Sequence, residues 1–156
     1  MAEQENPQGI EIQIPEFALV VLMGATGSGK STFARTHFLP TEILSSDACR
    51  GLVADDENDQ KASDDAFAVL HFIAARRLAN MRLTVIDATN VQPESRQQLV
   101  ALARQYHAMV YAIAFDLPEA VCRERNARRP DRAFGDHVIR RHRQQLRRSL
   151  PALQRE

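Results

Sequence analysis

The feature that most limits the fold of this chain is an apolar run that leads directly into a glycine-rich segment. Residues 17–23 are uninterrupted apolar residues, which is typical of a strand buried on both faces of a parallel sheet. The segment Gly24-Ala-Thr-Gly-Ser-Gly-Lys-Ser31 follows and satisfies the pattern G-x-x-x-x-G-K-[ST] at every fixed position. A helix predicted from Lys30 to His37 completes the strand, loop and helix context that this phosphate-binding loop requires.

Each fixed residue of this loop has a physical reason to be there. The glycines allow a tight turn that brings backbone N–H groups, and the positive end of the helix, close to phosphate oxygens. Lys30 is expected to reach the β- and γ-phosphates, and the Ser31 hydroxyl is a candidate ligand of Mg²⁺. We therefore predict a site for Mg²⁺ and ATP, or another nucleoside triphosphate. The nucleotide-binding residues predicted in the loop are Gly24, Ala25, Thr26, Gly27, Ser28, Gly29, Lys30, Ser31 and Thr32.

Strand and helix patterns alternate along the rest of the 156 residues. Short apolar strands are predicted near 42–45, 83–87 and 109–115, with helical patterns between them and after the last one. Residues 10–14 alternate apolar with polar side chains, which predicts a further strand, confined to a sheet edge or bulge because Pro15 follows it. The expected fold is therefore α/β, with a parallel sheet of four to five strands flanked by helices.

The domain organisation follows from length and composition. Residues 1–9 are polar and acidic and are predicted to form a tail, while residues 10–156 suit a single domain with one core. Residues 51–62 are polar, acidic and aperiodic, which predicts a mobile loop. The two cysteines suggest no disulfide framework, and no apolar stretch approaches the length that crosses a bilayer, so we expect a cytoplasmic protein without a membrane partner.

Functional groups in a parallel α/β sheet gather at the carboxyl ends of the strands, and Asp47 is the first candidate there. A carboxylate in this place can orient an acceptor hydroxyl and take its proton during phosphoryl transfer. A helical turn that begins near Asp47 would put Arg50 on the same side, where a guanidinium suits an acceptor that carries a phosphate. Asp is also a favourable N-cap residue, so a capping role for Asp47 is the alternative.

The segment Asp87-Ala-Thr-Asn90 ends the third predicted strand. An aspartate after an apolar strand is similar to the Walker B pattern, in which the carboxylate holds Mg²⁺ through a water molecule. Thr89 and Asn90 follow directly and are candidates for contacts with the acceptor. The alternative is a local role, in which Asp87 caps the turn and Asn90 forms a tight loop.

Arginines are concentrated in the last third of the chain, although the formal net charge of the whole sequence is zero. The stretch at about 125–135 is predicted to form a mobile lid over the triphosphate, in which Arg125, Arg129 and Arg132 bind the nucleotide. Arg132 would also stabilise charge during transfer and is therefore a catalytic candidate together with Lys30, Asp47 and Arg50. An exposed basic loop is the alternative for this stretch.

Five segments together resemble the kinase module of bacterial polynucleotide kinase–phosphatases, which are RNA end-healing and sealing proteins. The resemblance covers the chain from about Ile12 onward. It is carried by residues 24–32 (GATGSGKST), 45–53 (SSDACRGLV), 55–60 (DDENDQ), 83–91 (LTVIDATNV) and 121–126 with Asp131 and Arg132. The first segment occurs in many unrelated proteins, whereas the second and fourth are far more specific.

This resemblance implies the P-loop kinase fold and transfer of the γ-phosphate of ATP to the 5′-hydroxyl end of RNA or DNA. It implies that Asp47 is the general base, that Arg50 holds the phosphate beside the attacking hydroxyl, and that Arg125 and Arg132 contact the triphosphate. It also implies a larger parent protein with phosphatase and ligase modules.

Two other functions fit part of the pattern. A small-metabolite kinase, for a sugar or shikimate, shares the nucleotide-binding half and differs in the acceptor pocket. A nucleotide-dependent switch or binding module would need a partner surface more than an acceptor base, and Asp47 would then have no role.

Overall fold

The computed structural model describes residue 9, residues 11–129 and residues 135–156. Strands and helices alternate as the apolar periodicity predicts. The strands and helices are β1 (Ala18–Gly24), α1 (Lys30–His37), β2 (Ile43–Ser45), α2 (Ser46–Ala54), α3 (Ser63–Ala79), β3 (Thr84–Asp87), α4 (Pro93–Gln105), β4 (Met109–Phe115), α5 (Glu119–Ala127) and α6 (Asp136–Ser149). Short 3₁₀ helices span Pro40–Glu42, Gln60–Ala62 and Leu150–Arg155.

The four strands form one parallel sheet in the order β2-β3-β1-β4. Val21 of β1 pairs with Ile86 of β3 on one side and with Ala112 of β4 on the other. Every residue of β1 is buried, as its uninterrupted apolar run predicts. The predicted parallel sheet is therefore confirmed with four strands, and the carboxyl ends of β1, β2 and β3 meet at one edge.

The strand predicted at residues 10–14 is wrong for residues 11–14, which have no strand structure, while residue 10 lies outside the described residues. Ile14 packs against the apolar cluster that contains Val20 and Leu22, but Ile12 is 46% exposed. The alternating pattern therefore buries only one of these two side chains, and Pro15 has no N–H group to give to a neighbouring strand.

The prediction of a mobile loop at 51–62 is also wrong in part. Helix α2 continues to Ala54, where Asp55 ends it with a left-handed backbone at φ 59°, and residues 60–62 form a 3₁₀ turn. Arg50 explains this order, because its guanidinium donates hydrogen bonds to the Glu57 carbonyl (3.4 Å) and the Ser63 hydroxyl (3.1 Å). The buried Arg50 side chain thus orders residues 51–62, although their polar composition predicts a mobile loop.

Side chains of β1 divide the core into two layers. Leu19, Val21 and Met23 face the larger cluster, which includes residues of α3, α4 and α6, while Val20 and Leu22 face a smaller cluster with Ala34 of α1. Both faces of the sheet are therefore covered, which fixes the edge where the strands end. No helix within the described ranges combines the length and the apolar character needed to span a bilayer.

Candidate active site

The phosphate-binding loop joins β1 to α1, and its shape depends on glycines. Gly27 and Gly29 have φ of +77° and +93°, a region that side chains with a Cβ rarely adopt. A Cβ at Gly27 would lie only 2.4 Å from the Cys122 carbonyl oxygen of α5. The loop therefore rests on α5, and its backbone can turn tightly enough to leave a cradle for phosphate oxygens.

The Lys30 side chain folds back onto this loop. Its Nζ donates to the carbonyl oxygens of Gly24 (2.9 Å) and Ala25 (2.7 Å), and the side chain is buried. Burial lowers the pKa of Lys30 to about 8, although the carboxylates of Asp87 and Asp47 act in the opposite direction. An anionic phosphate beside Nζ would favour the charged ammonium in the same way as these carboxylates do.

Ser31 and Asp87 meet where α1 begins and β3 ends. The Ser31 hydroxyl donates to Asp87 Oδ2 at 2.7 Å. Among the described residues, no three histidine, cysteine, aspartate or glutamate side chains cluster in a way that could hold a metal ion. A hydroxyl and a carboxylate are the hard oxygen donors that Mg²⁺ prefers, and Mg²⁺ usually keeps several waters, so this pair fits such an ion.

Asp47 and Arg50 form an ion pair on the first turns of α2, in which Arg50 Nη1 donates to Asp47 Oδ1. The predicted alternative, in which Asp47 caps this helix, is wrong. Ser45 is the N-cap residue, and its hydroxyl accepts from the Ala48 amide at 3.2 Å. Asp47 therefore lies within the first turn, and its carboxylate reaches the cleft that Lys30 also lines.

Arg50 is itself held firmly in the protein. Its side chain is 11% exposed, and Nε and Nη1 donate to Ser63, Glu57 and Asp47. Arg50 also lines the cleft. A guanidinium held in this place can meet an anion in the cleft without moving the helix.

Thr89 and Asn90 connect the ends of β3 and β1. The Thr89 carbonyl accepts from the Gly24 amide at 2.9 Å, and Asn90 Nδ2 donates to the carbonyl of Leu22 at 2.7 Å. Buried Arg96 donates to the Asn90 carbonyl at 3.0 Å. These bonds hold the loop in place and use the Asn90 amide hydrogens, whereas a contact of Thr89 or Asn90 with an acceptor stays a prediction.

The predicted lid lies only partly within the described residues. Arg125 is in the last turn of α5, where its Nη1 donates to the Ser28 carbonyl at 3.2 Å, and Arg129 lines the cleft one turn later. Arg125 therefore lies beside the phosphate-binding loop and Arg129 lines the same cleft, while binding of the nucleotide by either stays a prediction. Residues 130–134, with Arg132, lie outside the described residues, so the roles predicted for Arg132 and for a mobile lid stay predictions.

His142 of α6 is a cleft residue for which the sequence predicted no function. Its Nδ1 accepts from the Thr26 amide at 3.5 Å, across a sequence separation of 116 residues. Burial, together with the charges of Lys30 and Arg141, lowers the pKa of His142 to about 4, so the imidazole is neutral at neutral pH. The sequence indicates only that His142 shares one face of α6 with Val138 and Leu146, and this spacing predicts that His142 points into the protein but predicts no function.

One cleft of about 1300 Å³ joins all these groups. Loop residues and Arg125, Arg129 and His142 line one side, and Asp47, Arg50 and Asp87 line the other. An anionic group held by Lys30 would therefore share this cleft with a candidate metal pair and a candidate base.

Residues 19–153 match a protein family described as AAA domain. The chain belongs to this family. The match covers the sheet, the phosphate-binding loop and all the helices from α1 to α6, so it agrees with the nucleotide-binding site that the loop predicts.

Known relatives of this AAA domain support the same fold. A structure of the Pnkp1/Rnl/Hen1 RNA repair complex is similar over 96% of this chain, with 27% identity and a TM-score of 0.74. The APS kinase CysC of Mycobacterium tuberculosis, solved with AMPPNP and APS, is similar over 72% of this chain and 70% of its own chain, with 22% identity and a TM-score of 0.56. In sequence, transcription factor bHLH140 of Arabidopsis thaliana is 30% identical over 126 residues, which is 81% of this chain.

These relatives confirm the P-loop kinase fold and the resemblance to a polynucleotide kinase module. The present chain spans only 48% of the matched chain in the RNA repair complex and 13% of the plant protein. At 22% identity, the likeness to APS kinase concerns the fold alone.

Proposed function

We propose that this protein is a polynucleotide 5′-hydroxyl kinase that transfers the γ-phosphate of ATP to the 5′ end of RNA or DNA in RNA repair. The observation that carries the proposal is the Asp47–Arg50 pair, which faces the same cleft as Lys30. A protein that only bound or hydrolysed a nucleotide would need neither a base for an acceptor hydroxyl nor a guanidinium beside it.

On the nucleotide side, the loop amides and Lys30 bind the phosphates of ATP and stabilise the charge that develops on the transferred group. Ser31 and Asp87 would hold Mg²⁺, Asp87 through a water molecule, and the ion would neutralise negative charge on the phosphates. Arg125 and Arg129 lie beside the loop and add positive charge there, and we propose the same for Arg132.

On the acceptor side, Asp47 orients the 5′-hydroxyl in line with the γ-phosphorus. The hydroxyl oxygen bonds to that phosphorus, its proton passes to the Asp47 carboxylate, and the bond to the bridging oxygen of ADP breaks. The transition state of such transfers is loose and needs orientation of the hydroxyl more than a strong base. Arg50 would hold the phosphate that follows the terminal nucleotide, which fixes the end without reading its base.

Partner modules are part of this proposal. We propose that the chain works with phosphatase and ligase modules of a larger parent, which would process the same RNA ends. The similarity over 96% of the chain to part of the Pnkp1/Rnl/Hen1 RNA repair complex supports this assignment.

A small-metabolite kinase is the competing function, since the same fold occurs in APS kinase at 22% identity. The test is the transfer of labelled phosphate from γ-labelled ATP, with Mg²⁺, to a 5′-hydroxyl oligonucleotide. A matched oligonucleotide with a 5′-phosphate is the control, and gluconate, shikimate and APS form the metabolite panel. We expect label on the 5′-hydroxyl oligonucleotide only. Label on a panel metabolite, with none on the oligonucleotide, would contradict the proposal.

A further inference from the structure

The cleft extends beyond Asp47 and Arg50 into a part that phosphoryl transfer does not itself use. Phe67 of α3 lies there, one helical turn after Ser63, whose hydroxyl accepts from Arg50 Nε at 3.1 Å. Residues four apart on a helix lie on one face, so the Phe67 ring is the next side chain along the wall that holds Arg50.

The ring of Phe67 is only partly buried. It packs against the larger apolar cluster and also lines the cleft. Phe67 has no aromatic partner among the residues that the structure describes, where the ring pairs involve Phe33 with His37, Phe38 and Phe115.

The cleft that Phe67 lines has both apolar and polar residues in its wall. Ala88 and Val91 belong to the same apolar cluster as Phe67 and also line the cleft, so the three residues give the wall apolar surface. Gln60, Gln92 and Ser95 line the cleft as well and provide hydrogen-bonding groups. A nucleobase has an apolar face and polar edges, which match such a surface, whereas a sugar acid carries hydroxyls on all sides.

We infer that Phe67 is a specificity-determining residue that stacks on the base of the acceptor's terminal nucleotide, with its 5′-hydroxyl at Asp47. This inference rests on the proposed function and names the part of the acceptor that the cleft recognises beyond the hydroxyl and the phosphate. Stacking on an aromatic ring does not depend on base identity, because every base has a π-face. The recognition is therefore of a nucleotide in general, as suits an enzyme that acts on ends of any sequence.

The experiment compares two acceptors in four proteins. One acceptor is a 5′-hydroxyl oligonucleotide, and the other is the same oligonucleotide with an abasic 5′-terminal residue, so only the base differs. The proteins are the wild type, Phe67→Leu, Phe67→Tyr and Phe72→Ala. Leucine keeps an apolar side chain against the core, tyrosine keeps the ring, and Phe72 is a matched control on the same helix that is 69% exposed and does not line the cleft.

We expect Phe67→Leu to lower kcat/KM for the intact acceptor by about 10-fold, mainly through KM, because a stacking contact is lost. On the abasic acceptor, kcat/KM of the same variant should be within about 2-fold of the wild-type value, because this acceptor has no terminal base to stack on the ring. Phe67→Tyr and Phe72→Ala should behave as the wild type does on both acceptors. KM for ATP and the unfolding midpoint should stay constant throughout.

Two results would overturn the inference. An equal loss on both acceptors in Phe67→Leu would show that the ring only supports the fold, while the proposed kinase function would stand. A wild type that phosphorylates neither oligonucleotide would overturn the proposed function and this inference with it.

Discussion

Replacing Gly27 with alanine should disturb the phosphate-binding loop and the helix beneath it. Gly27 has φ +77°, and a Cβ there would lie 2.4 Å from the Cys122 carbonyl oxygen and 3.3 Å from the Asn126 amide nitrogen. Both atoms belong to the backbone at α5, so they cannot rotate away as a flexible side chain could. The loop or the helix must shift instead.

The expected cost of Gly27→Ala has two parts. A left-handed backbone costs a residue with a Cβ about 1–2 kcal/mol, and an overpacked contact costs about 1–3 kcal/mol. The free energy of unfolding should therefore fall by about 2–5 kcal/mol, which lowers the midpoint of a chain of this size by at least about 4 °C. Affinity for ATP should fall as well, because α5 also carries Arg125, which donates to the Ser28 carbonyl.

The assay is thermal unfolding together with the dissociation constant for ATP, measured on Gly27→Ala and on a matched control. Gly51→Ala is that control, because Gly51 lies inside α2 without a left-handed backbone and its added Cβ would meet only side-chain atoms of Glu57, at 3.0 Å, and no backbone atom. Alanine favours a helix by about 0.5–1 kcal/mol over glycine, so this variant should be as stable as the wild type or more so. If Gly27→Ala has the same unfolding midpoint and the same dissociation constant for ATP as the wild type, the backbone at Gly27 does not pack closely against α5.

Three further substitutions test other parts of the site. Lys30→Ala should lower the transfer rate by about 100-fold or more while the unfolding transition stays cooperative, because a group that stabilises developing charge is lost; near-normal rates would contradict the nucleotide site. Asp87→Asn should lower the rate less than Asp47→Asn does and should raise the Mg²⁺ concentration needed for half-maximal rate, whereas an unchanged Mg²⁺ requirement would argue against the metal pair. The pKa of His142 is lowered from 6.5 to about 4, so the unfolded chain binds more protons between these values. The free energy of unfolding should therefore fall as the pH is lowered from 6.5 to 4, and less steeply in His142→Gln than in the wild type; equal slopes would contradict this.

Where the structure places site residues as the sequence predicted, the placement depends on residues that are near in sequence. The phosphate-binding loop is a local pattern, and Asp47 and Arg50 meet because they are three residues apart on one helix. The sequence predicted that Asp47 is a general base, with an N-cap of the helix as the alternative. The structure excludes the cap, because the Ser45 hydroxyl accepts the hydrogen bond from the Ala48 amide.

The parts that the sequence did not predict depend on contacts between distant segments. The His142 contact with Thr26 joins α6 to the loop, and the Asn90 contact with Leu22 joins two strand ends 68 residues apart. The order in residues 51–62 also comes from outside the local pattern, because the Arg50 side chain binds Glu57 and Ser63. Periodicity and composition report on the segment itself and carry no information about such partners.

The most direct test of the proposed function is the Asp47→Asn variant, measured for both phosphate transfer and ATP binding. Asparagine keeps the shape of the side chain but cannot take the proton of the acceptor hydroxyl. We expect transfer to a 5′-hydroxyl oligonucleotide to fall by about 100-fold or more, while the dissociation constant for ATP stays within about 2-fold of the wild type. Transfer within a few-fold of the wild-type rate would contradict the account, because Asp47 would then not be the residue that acts on the acceptor.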